Sequence, residues 1–230
     1  MKYPDCSLID VDQRTPEWFT ARRGRLTASN FGAWLTKNDK TSQKARRTAA
    51  GLILAELNKL PDPKVFVNAD IQRGIDQEAE AIQEFSRLTG LLVDPIGFAQ
   101  SKHGLFGCSP DGLILSTGEG LEVKSPRASK LFQYHQSEEL PDEYRDQVHG
   151  SMAVTGAKAW HFFAYHRGTT DEDEPKSVIL PSFHIRVERS TYTDEMLEGL
   201  KSFSNYLTTV SRMMSALAEL QFSCTEGGDQ

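Results

Sequence analysis

The strongest constraint on the fold is a change of hydrophobic period along the chain. Residues 74–88 carry apolar side chains at helical spacing, with Ile75, Ala79, Ile82, Phe85 and Leu88 on one stripe. The period then shortens, and residues 98–106, 112–115 and 120–124 read as short strands separated by glycine turns. A helix over 142–155 follows, then strands over 159–167 and 178–188. A long helix over 193–220 comes last, its Met196, Leu200, Phe203, Leu207, Val210, Met214 and Leu217 spaced alternately by four and three. That face suits packing onto the domain's own sheet, with a partner helix as the alternative.

Upstream, Thr15, Pro16 and Glu17 open a helix over 15–23, and Ser29 can cap a second one through residue 35. A third spans 41–60 and is stopped by Pro61 and Pro63. The acidic stretch 168–177 reads as a solvated connection. Helices, a central strand block and more helices predict one α/β domain over residues 1–230, with a basic amino-terminal helical segment over about 14–60 and a core over about 70–190.

Composition excludes several classes. With 38% hydrophobic and 25% charged residues, wholesale disorder is excluded. No apolar run is long enough to span a bilayer, and the amino terminus lacks the apolar centre of a secretory signal, so no membrane partner is expected. Cys6, Cys108 and Cys224 show no CxxC spacing, which argues against disulfides and structural zinc and for a reducing cytoplasm. His161 and His166 read as strand-end histidines rather than metal ligands. The net charge of −6 disfavours nucleic-acid binding through charge alone, but it conceals a split. Residues 1–50 hold 10 Lys and Arg against 5 Asp and Glu, leaving −11 for the other 180. From Arg14 to Arg47 only Glu17 and Asp39 oppose 9 positive residues.

The chemistry concentrates in Ser109-Pro110-Asp111-Gly112 and Leu121-Glu122-Val123-Lys124. Gly118 and Gly120 bracket a turn that folds the two stretches into a hairpin. Glu122 and Lys124 share a strand face, and Asp111 can meet them from the facing strand. Two carboxylates and an ammonium form a site for a hard divalent cation such as Mg²⁺. The lysine can assist a water nucleophile or offset charge on a phosphate. The plainer alternative is a surface turn with a solvated Glu–Lys pair. On the wheel of the 74–88 helix, Glu78 falls between the apolar stripe and solvent, while Glu80 and Glu84 lie on the polar face. A carboxylate there needs a partner, either a metal or an Arg or Lys. Arg22, Arg23 and Arg25 present forks suited to phosphate, and a helix start at Ser29 offers backbone N–H groups to an anion.

Trp18 … Arg22-Arg23-Gly24-Arg25-Leu26-Thr27-Ala28-Ser29 resembles the amino-terminal motif of the phage lambda exonuclease family, restriction-endonuclease-like nucleases of viral recombination. Gly74 … Glu78, Cys108-Ser109-Pro110-Asp111-Gly112, Leu121-Glu122-Val123-Lys124 and Gln147 follow in that family's order and at similar spacing. The motif match runs from about residue 18 to residue 165. The resemblance implies a restriction-endonuclease-like core, a central mixed β-sheet flanked by helices, with a long carboxy-terminal helix. It also implies a magnesium-dependent enzyme that degrades one strand of linear duplex DNA from its 5′-phosphorylated end and leaves a 3′ overhang. Asp111, Glu122 and the Val123 carbonyl correspond to metal ligands, Glu78 to the ligand of a second ion, and Lys124 to the catalytic lysine. Gln147 corresponds to a residue orienting groups nearby, and Arg22, Ser29 and Ser109 to the 5′-phosphate pocket. Two Mg²⁺ ions per site, replaceable by Mn²⁺, a homotrimeric ring, a single-strand-annealing partner and a bacterial host's cytoplasm are further implications. The tract 37–47 is a candidate for phosphate contacts. The alternatives are a site- or structure-specific endonuclease of the same fold, or a non-catalytic DNA-end-binding scaffold.

Overall fold

The computed structural model describes residues 3–33, 51, 68–102, 105–168 and 180–226. The expected helix over 41–60, the tract 37–47 and nearly all of the connection over 168–177 lie outside them. Among the described residues, eight strands form two four-stranded sheets. The first sheet contains β1 (Cys6–Ile9), β2 (Leu26–Thr27), β3 (Phe98–Ser101) and β4 (Phe106–Cys108), in the order β1-β3-β4-β2. The second runs β5-β6-β7-β8, with β5 (Gly112–Ile114), β6 (Glu119–Lys124), β7 (Ala159–Ala164) and β8 (Phe183–Glu188). Both sheets are mixed: β2 and β4 are parallel, as are β6 and β7, and the remaining pairs are antiparallel. The fold is thus mixed α/β as expected, but with two sheets in place of a single central one.

The helix α1 (Pro16–Arg22) starts as its sequence dictates. Thr15 accepts a hydrogen bond from the Trp18 amide, and Pro16 occupies the first turn where its missing N–H costs nothing. A cap of this kind contributes about 1 kcal/mol. The residues after Arg25 form β2 and then a short 3₁₀ helix, Ala28–Ala33. Ser29 lies inside that turn rather than at the cap of an α-helix.

The long helix α2 (Ala69–Thr89) is capped by Asn68 and ended by Gly90 in a left-handed conformation. Its buried line is Gln77, Ala81 and Phe85, whereas Leu88 is exposed. The expected stripe was therefore offset. Phe85 anchors the helix against Ile114, Leu121, Val123 and Phe163 of the second sheet, and that contact decides which face turns inward.

Two further helices, α3 (Ala128–Ser137) and α4 (Asp142–Thr155), lie between β6 and β7. The first was not anticipated, nor was β1. The run 98–106 divides into β3 and β4, paired antiparallel. The buried residues of α4, Val148–Thr155, pack against β3 and β4 of one sheet and β6 and β7 of the other, so this helix joins the two sheets. The last helix, α5 (Thr191–Glu226), packs chiefly on α4, and its Met196 and Leu200 join the core cluster that includes Phe106 and Phe162 of the sheets. Its Met196, Leu200 and Leu207 are buried, while Met213, Met214 and Leu217 are exposed. Cys6 and Cys108 are free and buried. No helix among the described residues is long and apolar enough to cross a membrane.

Candidate active site

The hairpin β5–β6 places the carboxylates. Pairing of Gly112 with Leu121 brings Asp111 beside Glu122, and the Asp111 amide donates to the Leu121 carbonyl at 3.1 Å. The connecting turn requires Gly118, whose φ is +78°. A Cβ on Gly120 would lie 2.3 Å from the fully buried Trp160 ring, so glycine lets β6 and β7 approach.

The Asp111 carboxylate accepts the Val123 amide at 2.6 Å. Glu122, only 1% exposed, accepts from the Lys124 ammonium and from Gln147 Nε2, the latter at 2.6 Å. Lys124 also stands 5.3 Å from the centre of the Tyr144 ring. Burial pushes the Asp111 carboxyl well above the usual carboxylate range, and the neighbouring Glu122 and Glu78 add to it against the opposing Lys124 charge. For Lys124 burial acts to lower the pKa, but Glu122 and Asp111 outweigh it and hold the ammonium above its ordinary value. Lys124 is therefore a cation at neutral pH.

Glu78 extends from α2 and pairs with Arg14. The rim carboxylate thus has an arginine partner here, and its charge adds to the shift of Asp111. Among the described residues, no three His, Cys, Asp or Glu side chains converge to hold a metal. The donor set still fits one hard cation. The buried Glu122 and the partly buried Asp111 bring two like-charged carboxylates together on one hairpin, and magnesium requires only one or two carboxylates besides water and phosphate.

The arginine-rich segment assembles next to this hairpin. Arg22 donates to Ser109 Oγ at 2.9 Å and to Thr27 Oγ1 at 3.5 Å, and its guanidinium lies 4.1 Å from the centre of the Trp18 ring. Trp18 Nε1 donates to the Gly97 carbonyl at 2.9 Å and to Ser109 Oγ at 3.0 Å. Ser29 joins through Thr27, the two hydroxyls being 3.3 Å apart. Arg22, Ser29 and Ser109 thus come together, and Ser109 is two residues from Asp111. Sequence reasoning did not single out Thr27, Trp18, Tyr144 or Arg14 as individual site residues, although the first two stood within the quoted motif.

His161 and His166 lie elsewhere. His161 is buried on β7 between Glu119 and His184, and His166 Nδ1 is 3.0 Å from the Pro126 carbonyl.

Residues 17–158 match the YqaJ-like viral recombinase domain. The chain belongs to this family. Among solved structures it is similar to an alkaline exonuclease from Laribacter hongkongensis, with a TM-score of 0.73 and 26% identity over 90% of this chain and 100% of that one. The same enzyme in complex with dAMP matches with a TM-score of 0.66 and 27% identity, covering 88% of this chain and 100% of the other. A phage-related exonuclease from Haemophilus somnus 129PT shares the fold at 15% identity, with a TM-score of 0.60 over 84% and 96% of the two chains. Comparison with curated proteins found no match. The family resemblance carried by the motifs therefore holds.

Proposed function

We propose that the protein is a nuclease that removes nucleotides from the 5′-phosphorylated end of linear duplex DNA, using magnesium, and leaves a 3′ single strand for recombination. Family membership and the alkaline exonuclease fold support the nuclease part. One observation carries the finer part. Ser109, which receives Arg22, and Asp111, which faces Glu122, stand two residues apart on one loop. An anion pocket and a carboxylate site so joined suit a substrate whose terminal phosphate is held beside the bond to be cut. The complex of the Laribacter enzyme with dAMP, a nucleoside monophosphate, agrees with such a product.

Asp111, Glu122 and the Val123 carbonyl would hold the cation, with Glu78 serving a second one. When bound, magnesium supplies Lewis-acid polarisation of the phosphate and lowers the pKa of water. Lys124, kept charged by its carboxylate neighbours, offsets the negative charge that builds on the phosphate. Gln147 fixes one oxygen of Glu122 and so orients the other. Arg22 and the Ser109, Thr27 and Ser29 hydroxyls clamp the terminal phosphate, with Trp18 holding the guanidinium in plane. The same reading takes residues 1–230 as one nuclease domain, acting as a homotrimeric ring with a single-strand-annealing partner in a bacterial cytoplasm.

A time course on 5′-phosphorylated linear, 5′-hydroxyl linear and closed circular duplex, with and without Mg²⁺, tests the reading. Mononucleotide release from the phosphorylated linear duplex, dependent on Mg²⁺, is expected. Cutting of circles would replace it with an endonuclease, and end binding without release would replace it with a scaffold.

A further inference from the structure

The turn between β1 and α1 carries an unusual arginine. Arg14 has φ of +70°, one of only two non-glycine residues in the left-handed region among those described. A left-handed backbone costs a residue with a Cβ free energy, and such strain persists only where the surroundings hold it. Here they do. Gln13 Nε2 donates to the Pro110 carbonyl at 2.8 Å and to the Ile96 carbonyl at 3.0 Å, which ties the turn to the residue preceding Asp111. On the other side, Thr15 Oγ1 donates to the Asp12 carbonyl at 2.7 Å and caps α1. Between these anchors the Arg14 guanidinium reaches Glu78, 64 residues away.

An ion pair with side-chain exposures of 46% and 23% contributes little to stability. Stability therefore does not account for an arginine pinned in a disfavoured conformation next to the turn bonded to Pro110. Its position does. Gln13, adjacent to Arg14, is bonded to the Pro110 carbonyl, so the Arg14–Glu78 pair stands beside the loop that carries Asp111.

We propose that Arg14 is a built-in counter-ion for Glu78, and that a second divalent cation must displace its guanidinium to bind. This rests on the reading of Glu78 as a ligand of that cation. No covalent bond changes: the Glu78 carboxylate exchanges one positive partner for another. Arg14 is thus a positioning residue that weakens the second cation step and leaves the first, at Asp111 and Glu122, unaffected.

Calorimetric titration of the full chain with Mn²⁺ alone, without DNA, tests this. Arg14→Gly, which also relieves the left-handed backbone, should tighten the weaker Mn²⁺ step by up to about fivefold, the range open to losing a partly exposed ion pair. Arg14→Asn, whose side chain tolerates the same backbone, should do likewise if the glycine variant folds poorly. Arg14→Lys should stay near the parent protein, and Glu78→Gln should lose the weaker step. An unchanged weaker step in Arg14→Gly and Arg14→Asn, with its loss in Glu78→Gln, overturns the role of Arg14 and leaves the cation reading standing. Two intact steps in Glu78→Gln overturn both.

Discussion

Lys124 and Arg22 do different work, and single substitutions separate it. Lys124 touches Glu122 and stands against the Tyr144 ring, whereas Arg22 donates to Ser109 and Thr27. Lys124→Ala should lower cleavage at least about 100-fold, the usual effect of removing a group that stabilises transition-state charge, while duplex binding in a gel-shift assay stays near normal. A fully active variant would end the catalytic assignment. Arg22→Ala should instead abolish the rate advantage of 5′-phosphorylated over 5′-hydroxyl ends. Thr27→Val should reduce that advantage by a few-fold, since it removes the hydroxyl linking Arg22 to Ser29. Equal ratios in the parent and both variants would remove the clamp. The residue types in this site were legible beforehand because phosphate and hard-cation chemistry accept few alternatives. The partner of Glu78 was not, because a helical wheel shows which face a carboxylate leaves from and says nothing of what a distant turn brings to it.

At the scale of elements, the close approach of β6 and β7 is the feature on which the site depends. Trp160 is fully buried and lies where a side chain on Gly120 would have to go. Gly120→Val should destabilise the protein by about 1–3 kcal/mol in denaturant unfolding, as overpacking of a filled core does. Activity should fall as well, because Glu122 is two residues further along the same strand. A variant as stable and active as the parent would show that the sheet yields there. Strand and helix positions were largely visible from periodicity, and the hairpin from its glycines. The rotation of α2 was not. Its apolar residues lie around much of its circumference, and only the docking of Phe85 against the second sheet selects the buried line through Gln77 and Ala81. The carboxy-terminal helix behaves similarly, since its pattern announces an apolar face but does not say that α4 is its main neighbour.

At the scale of the whole molecule, the buried His149 and His161, with His184 stacked on the latter, make stability depend on acidity. His161 is lowered by burial and by the Arg186 charge, against the hydrogen bond it donates to the Glu119 carboxylate, and the more exposed His184 is lowered by desolvation and by His161. His149 is lowered by burial and by Arg145. With folded values below the unfolded one, the unfolded chain binds more protons as the pH falls. Their contribution is complete above about pH 6.5 and is lost as the pH drops through that value toward the folded pKa values. Thermal melting should therefore show Tm falling from pH 7.5 to pH 5, with a smaller fall in His184→Gln; an equal fall would acquit this pair.

The sequence by itself determined the α/β class, the carboxylate–lysine hairpin, the arginine motif and, through their order, the family. These are local properties: period, turn glycines and the residue types a chemistry requires lie within a few positions of one another. Only the tertiary structure decided that there are two sheets joined by α4, that Ser29 joins Arg22 through Thr27, and that Arg14 stands against Glu78. Each of those depends on contacts between segments tens of residues apart, where the outcome is set by which surfaces fill one another's space and which charges meet once they have.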